Sequence, residues 1–495
     1  MKVKKSKALL IAYDYGESGD FFLECLTEEF ARKKNLDLRA ISFEKLFESV
    51  KPNKINKYFY GFISVLRLLL TLLVKGRRSK LLYKMRNLKY KKIDVGVFIF
   101  SSYLRSSNSD GFIKMSPGFM KFYFVAFISL LYKFRALDKI IKKAEYDEIY
   151  FYNSEIVYHY GAVRDFLVNR GIKELKFDKC NQRYILSLSK SYSSFDEKVK
   201  MLCLSDKQVM EGLNHLKSLV YREKTYFYMK DVDISISTEF DYSRISLSKN
   251  VAVICMHAVS DNQYVHGPDG FLDLHDWLMS SIQVLRKNGY MVLIKPHPAY
   301  FPRNVKQFYI ADHRYLVHLM AIFNTYISFD SKNIFSTSVE DVFFLPANLS
   351  LIEMKANLGD FLVLTHHGSI AVEAAYLGLG ALVSTSSPYS KYDSFVSFYS
   401  DRHTLEQQLI KQNSASIRDS SSIMRSLGTY MFSKDLLGEG RSSSYYFRKA
   451  AFHDVDGRKA NLDMISEWLK NLPATEKKIL SKQIRELIKK EMVEV

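Results

Sequence analysis

From residue 251 to residue 384 the chain alternates short apolar runs with stretches of helical spacing, and this alternation most restricts its fold. Val251–Met256 (VAVICM), Tyr290–Lys295 (YMVLIK), Val342–Leu345, Phe361–Thr365 (FLVLT) and Ala381–Ser384 read as strands. Leu272–Asn288, Ser350–Leu358 and Ile370–Leu377 read as the helices between them. Strands that alternate with helices build a parallel sheet. The first sixty residues begin a similar series of strand, loop, helix and strand. In it Ala8–Tyr13 (ALLIAY) is a strand, Asp14–Asp20 (DYGESGD) a turn-rich loop and Phe21–Lys33 a helix. Further strands are expected at Asp94–Ser101 (DVGVFIFS) and Glu148–Asn153 (EIYFYN), with a helix over Phe119–Lys143.

The polar stretch Asp231–Lys249 separates the two series. The expected organisation is α/β: two Rossmann-like parallel-sheet domains, 1–248 and 249–410, facing across a cleft, followed by a helical extension, 411–495. In the closing helix Leu480, Ile484, Leu487 and Ile488 form one apolar stripe, suited to packing on the body of the protein or to a partner helix. Open α/β sheets bind ligands at the carboxyl ends of their strands. The polar residues of this sequence fall there.

Strand Phe361–Thr365 runs into His366, His367, Gly368 and Ser369, where a helix begins. Gly368 lets the backbone approach a ligand, Ser369 is a good N-cap, and the first turn is suited to a phosphate. His367 beside it can donate to a phosphoryl oxygen, and Glu373, one turn on, can accept from ribose hydroxyls. Gly378 is expected to close that helix. At the end of Tyr290–Lys295, two prolines in Lys295-Pro296-His297-Pro298 stop the ladder and present a rigid Lys/His pair. After Val251–Met256 come His257, Ser260, Asp261 and Asn262, and then Asp273, His275, Asp276 and Trp277. Asp261 is placed to act as base or nucleophile, or to cap a turn. In the first domain, Glu17 in the Asp14–Asp20 loop and Glu155 after Glu148–Asn153 offer carboxylates at strand ends.

Composition removes other classes. The four cysteines, Cys25, Cys180, Cys203 and Cys255, share no metal-binding spacing, which excludes zinc fingers, iron–sulfur clusters and a disulfide framework and suits a reducing compartment. The amino-terminal apolar run is too short for a secretory signal, so a cytoplasmic protein is expected. The formal net charge is +19, and the segment 49–93, with thirteen Lys and Arg and no Asp or Glu, carries +13 of it. Its apolar middle, Phe62–Val74, is thirteen residues long and holds Arg67, short of the roughly 20 residues of a membrane span. It suits either a cationic amphipathic segment lying on an anionic membrane surface or a buried helix with solvated flanks. A sequence pI near 9.4 and 33 tyrosines also raise a basic nucleic-acid-binding protein, but no RNA-reading motif accompanies them and no nucleic-acid partner is expected.

The series HAVSDN, then KPHP, then HGS-x-x-x-E-A-x-x-x-G resembles the GT-B glycosyltransferases of bacterial capsule and lipopolysaccharide biosynthesis. HAVSDN with the following Asp/Trp helix is most similar to the Kdo-transferase-like group that uses CMP-activated Kdo. The resemblance spans about Val251–Ser384 and is topological over the first domain. It implies a GT-B fold and a CMP-linked donor of Kdo or a related acidic sugar. It also implies a lipid-linked or lipopolysaccharide acceptor, reached from the inner face of the cytoplasmic membrane. Residue by residue, it implies that Lys295, His297, His367, Gly368, Ser369 and Glu373 hold the nucleotide, with His257 beside them. Asp261 would be catalytic, and Glu155 or Glu17 would handle the acceptor proton. No cofactor and no catalytic metal are expected, since Asp231-Val-Asp233 follows no strand. KPHP and HGS…E also occur in CDP-glycerol-type phosphotransferases, which leaves a polyol phosphate transfer as the alternative.

Overall fold

The computed structural model describes residues 5–13, 16–42, 78–106, 109–142, 145–153, 158–180, 183–189, 204–222, 242, 245, 249–260, 267, 269–301, 310–329, 333–387, 392, 394–412, 420–433 and 468–491. Within these lie two α/β units, each a mostly parallel sheet covered by helices on both faces. This is the expected GT-B architecture.

The first sheet contains β1 (Ser6–Tyr13), β2 (Leu36–Ser42), β3 (Glu148–Asn153), β4 (Lys173–Cys180) and β5 (Arg183–Ser189), in the order β2-β1-β3-β4-β5. The first four are parallel, and β5 returns antiparallel to β4. The alternation of side chains along β1 divides its core in two. Leu9 and Ile11 face helices α2 (Arg78–Arg86), α3 (Val95–Leu104), α4 (Pro117–Lys142) and α5 (Tyr158–Asn169). Ala8, Leu10 and Ala12 face α1 (Gly16–Lys34) and the last described helix, α13 (Ala474–Glu491). The stripe Leu480, Ile484, Leu487 and Ile488 is spent in that contact, so the carboxyl-terminal helix packs on the body of the protein.

Two local expectations are corrected. The strand expected at Asp94–Ser101 is helix α3. Its buried residues Val95, Ile99 and Tyr103, with Gly96, Phe100 and Leu104, recur every four positions, a helical spacing inside a run that is apolar on all sides. Gly96 is required there, because a Cβ would lie 2.1 Å from the carbonyl oxygen of Met85. The loop expected over Asp14–Asp20 is already helical from Gly16, so position 17 belongs to the first turn of α1.

The second sheet has the order β12-β11-β10-β6-β7-β9-β8. Its strands are β6 (Val251–Cys255), β7 (Met291–Lys295), β8 (Phe335–Ser336), β9 (Val342–Phe344), β10 (Leu362–Leu364), β11 (Gly380–Ser384) and β12 (Ser397–Tyr399). All but β8 are parallel. Ala252 and Ile254 face α7 (Leu274–Lys287), α8 (Ile310–Phe323) and α11 (Arg402–Gln412). Val251, Val253 and Cys255 face α6 (Asp206–Val220), α9 (Leu351–Leu358), α10 (Ile370–Tyr376) and α12 (Ser420–Met431). The chain leaves β6 toward β7 and later returns on the other side of β6 as β10. The topological switch point, where such sheets bind ligands, therefore lies between β6 and β10. Among the described residues no helix is long and apolar enough to cross a membrane.

The units are joined where the segment before α7 meets the first domain. Asp273 caps α7 through the amide of Asp276 (2.8 Å) and accepts from the amide of Ile113 in the first domain (2.7 Å). Asp276 accepts from the Tyr83 hydroxyl (2.6 Å), and Arg86 donates to the carbonyls of Phe271 and Asp269. Phe112 stacks on His318 at 4.5 Å and tilts against His275 at 4.9 Å.

This joint makes stability depend on pH. Burial, and then His318, pull the His275 imidazole from 6.5 to about 4, with Asp276 opposing. The unfolded chain takes a proton as pH falls below 6.5 and the folded one resists it. His275 therefore contributes stability fully above pH 6.5, and that contribution is lost as pH falls toward 4. Asp273 acts in the opposite sense. Burial raises its carboxyl from 3.8 to about 6, so its contribution weakens as pH rises through that window. His275→Phe keeps a ring in place and removes the titration. Urea unfolding between pH 6.5 and 4 should then show about 3 kcal/mol less acid destabilisation than in the wild type. Equal pH slopes in the two proteins contradict this origin.

Candidate functional site

Pairing registers bring the site together. Cys255 pairs with Lys295, and Ile254 pairs with both Ile294 and Leu364. Continuing those registers puts His257, His297 and His367 on one level, each just past the carboxyl end of its strand. The rings of His257 and His297 stack at 6.2 Å and 9°, and His257 meets His367 edge-on at 5.9 Å and 72°. Three imidazoles thus line the carboxyl edge of the sheet across the switch point.

Their tautomers follow from their partners. The Nε2 of His367 lies 3.0 Å from the carbonyl oxygen of Gly267, which can only accept, so Nε2 carries the proton. The Ser386 hydroxyl is also 3.0 Å from that nitrogen and donates to the same carbonyl at 2.6 Å. Nδ1 of His297 accepts from the amide of Ala299 at 3.1 Å, which leaves the proton of its neutral ring on Nε2 as well. The adjacent His366 is a core residue, 1% exposed, with its ring against Trp277 and Phe271. The strand's alternation thus sends one histidine of the pair into the core and the other to the edge.

Gly368 does what its lack of a side chain allows. Its amide donates to Thr365 Oγ1 at 3.2 Å, and a Cβ would stand 2.6 Å from that oxygen. Ser369 occupies the N-cap position of α10, but in helical backbone geometry and without a side-chain capping bond, so the expected serine cap is not formed. The first turn is instead closed by tight backbone bonds from Ala371 to Gly368 and from Val372 to Ser369. Gly378 ends the segment with φ +73, as expected of a C′ glycine.

Lys295 differs from the expected emerging cation. Its Nζ is spent inside the fold, donating to the carbonyl of Ala347 at 2.6 Å. Burial lowers its pKa, with Cys255, Arg222, Glu373 and Glu353 the charged or titratable groups in reach. Glu373, half-buried on α10, is near enough to act on the charge of both Lys295 and Arg222. Burial also pushes the Cys255 thiol up to about 12, which keeps it a thiol.

Three participants escaped the sequence reading. Ser384, Thr385 and Ser386, at the end of β11, hold the Asp269 carboxylate through two hydroxyls and the amide of Ser386. Tyr300 donates to the carbonyl of His257, and buried Asp312 holds Ser260. The Ser/Thr run directly after an apolar strand was the available signal for the first; the other two are contacts distant in sequence. Asp261 and Glu155 lie outside the described residues. Among the described residues no cluster of three or more His, Cys, Asp and Glu side chains forms a metal-binding group.

No protein-family model matches the chain, and no curated protein matches it. Among solved structures it is similar to a UDP-GlcNAc 2-epimerase of Methanocaldococcus jannaschii in complex with UDP-GlcNAc and UDP. That likeness has 11% identity over 85% of this chain and 97% of the other, with a TM-score of 0.26. WaaG, a glycosyltransferase involved in lipopolysaccharide biosynthesis, is also 11% identical, over 91% of this chain and 100% of its own, at 0.26. The trehalose 6-phosphate synthase of Burkholderia multivorans is 8% identical over 90% and 100%, at 0.26. Likenesses at this level carry nothing about chemistry, and the architecture rests on the strand orders above.

The different settings of Lys295 and His297 separate their variants. Lys295→Met leaves the Ala347 carbonyl without its donor and should cost about 1–3 kcal/mol in denaturant unfolding. Ligand affinity should then fall less than in His297→Ala. A stable Lys295→Met protein that has lost all ligand binding would instead put the ammonium on the ligand.

Proposed function

We propose that the protein is a nucleotide-sugar-dependent glycosyltransferase. It would move Kdo or a related acidic sugar from a CMP-linked donor to a lipid-linked, lipopolysaccharide or capsule acceptor. The observation that carries this reading is the meeting of His257, His297 and His367 at the switch point of the second sheet. His297 holds its proton on Nε2, the form in which an imidazole donates to a phosphoryl oxygen and neutralises a departing one, while His367 uses its Nε2 proton on the Gly267 carbonyl and fixes the wall beside it. Gly368 lets the chain turn tightly around Thr365 beside them. Glu373 and Lys295 support that wall from below, and Ser369 opens the helix behind it. The HGS-x-x-x-E-A and KPHP motifs, with the CMP donor they imply, fit this arrangement.

Bond breaking at the anomeric carbon passes through an oxocarbenium-like transition state, which a nearby carboxylate stabilises. We assign that carboxylate to Asp261, next in the chain to Ser260, as nucleophile or base. The acceptor proton goes to Glu155, with Glu17 as the alternative. The leaving CMP takes its charge away on the histidine side, so in this reading no metal is needed to neutralise it. The basic segment 49–93 would hold the enzyme at the anionic inner face of the cytoplasmic membrane, where such acceptors lie.

Donor binding and chemistry should be separable. A CMP-linked sugar should raise the melting temperature, and His297→Ala and His367→Ala should each weaken that donor about ten- to hundred-fold. Asp261→Asn should keep donor affinity and lower turnover by about three orders of magnitude. If Asp261 is the nucleophile, intact-protein mass spectrometry with donor alone should find one added sugar, absent from the Asn variant. An active Asp261→Asn enzyme eliminates that residue, and transfer of a polyol phosphate with release of CMP would favour the phosphotransferase.

Replacing Lys75, Arg77, Arg78 and Lys80 with Ser should release the protein from anionic vesicles, at about 1 kcal/mol per charge. Activity on a soluble acceptor analogue should persist. Vesicle binding that ignores both the substitutions and salt would remove the membrane role.

A further inference from the structure

The turn that carries His257 is held from several sides, and one hold comes from the other domain. Tyr300 donates to the carbonyl of His257. At the far end of the turn, Asp312, fully buried on α8, accepts from the Ser260 amide at 3.0 Å and from its hydroxyl at 2.5 Å. Arg105, at the end of α3 in the first domain, donates from Nε to the carbonyl of Ser260 at 2.6 Å. The same stretch of the first domain touches the turn again at Gly111, whose φ is +83. A Cβ there would stand 2.9 Å from Val259 and 2.5 Å from Tyr315.

We infer that Arg105 is a positioning residue for the histidine site. It ties the His257–Ser260 turn to the first domain, so the seating of the two domains on each other sets where His257 stands. The carbonyl of Ser260 lies past the end of β6, outside its ladder, and a guanidinium is a donor suited to hold it. Asp312 fixes the same residue from within the second domain. Arg105 therefore adds what Asp312 cannot: dependence on the first domain, where the acceptor is expected to bind. A small displacement of the ring is enough to matter, since misplacing a group by an ångström costs about a hundred-fold in rate.

This inference rests on the reading of the histidine cluster as the donor site, and its test separates the two. In Arg105→Ala, hydrogen exchange of the amides of residues 257–260 should speed up while the melting temperature stays near that of the wild type. Sugar-transfer kcat/KM should fall about ten- to hundred-fold, and Arg105→Lys, which can still donate to the carbonyl, should recover part of it. Because Arg105 acts through the turn, the double variant Arg105→Ala/His257→Ala should be no worse than His257→Ala alone. Unchanged exchange at residues 257–260 overturns the inference, and so do losses that simply add. A harmless His257→Ala overturns the donor-site reading and this inference with it.

Discussion

The central strand of the second sheet, β6, imposes the geometry on which everything else depends. It pairs in parallel with β7 on one side and β10 on the other, and the three stop at nearly the same level. Parallel strands in register must deliver their trailing residues to one edge. Here each is followed within a few residues by a histidine. The cluster is therefore a consequence of backbone hydrogen bonding and needs no long side chain to reach across. The same strand is buried on both faces, Ala252 and Ile254 to one side and Val253 and Cys255 to the other. Helix layers on both sides fix its position, so the edge is rigid where the rings stand.

The second constraint is the joint between the domains. Polar contacts dominate it: Asp273 and Asp276 face Ile113 and Tyr83, and Arg86 faces backbone carbonyls. Buried groups of this kind fix orientation because each has few alternative partners. The joint also lies on the segment that leads from His257 to α7, so the site and the domain contact share one stretch of chain. The carboxyl-terminal helix works the other way round: it comes after the second domain in sequence but packs on α1 of the first.

Much of this was legible in the sequence, and the reason is periodicity. Short apolar runs such as VAVIC and MVLIK, alternating with stretches of helical spacing, suit the middle of a parallel sheet, and polar residues at their ends then fall at its carboxyl edge. The places of His257, His297, His367 and Gly368 just past strand ends were readable for that reason, and Gly378 was readable as the residue that closes a helix. The failures have equally local causes. The run VGVFIF is apolar on all sides and suits helix or strand, and what makes it α3 is the company of α2, α4 and α5, which the sequence separates from it. Lys295 was read as facing a ligand because it ends a strand. Its ammonium is instead held by the Ala347 carbonyl, a contact 52 positions away in sequence. Arg105, Tyr300 and Asp312 act through contacts across 43 to 155 positions of sequence, which no spacing rule reports.

The central claim is that the three histidines receive the phosphate of a cytidine nucleotide. A crystal structure of the protein with CMP or a CMP-linked sugar tests it most directly. The account predicts a phosphate oxygen within hydrogen-bond distance, about 2.7–3.2 Å, of Nε2 of His297, at the carboxyl ends of β6 and β7. Nucleotide bound at any other place on the molecule, with these rings untouched, would contradict it.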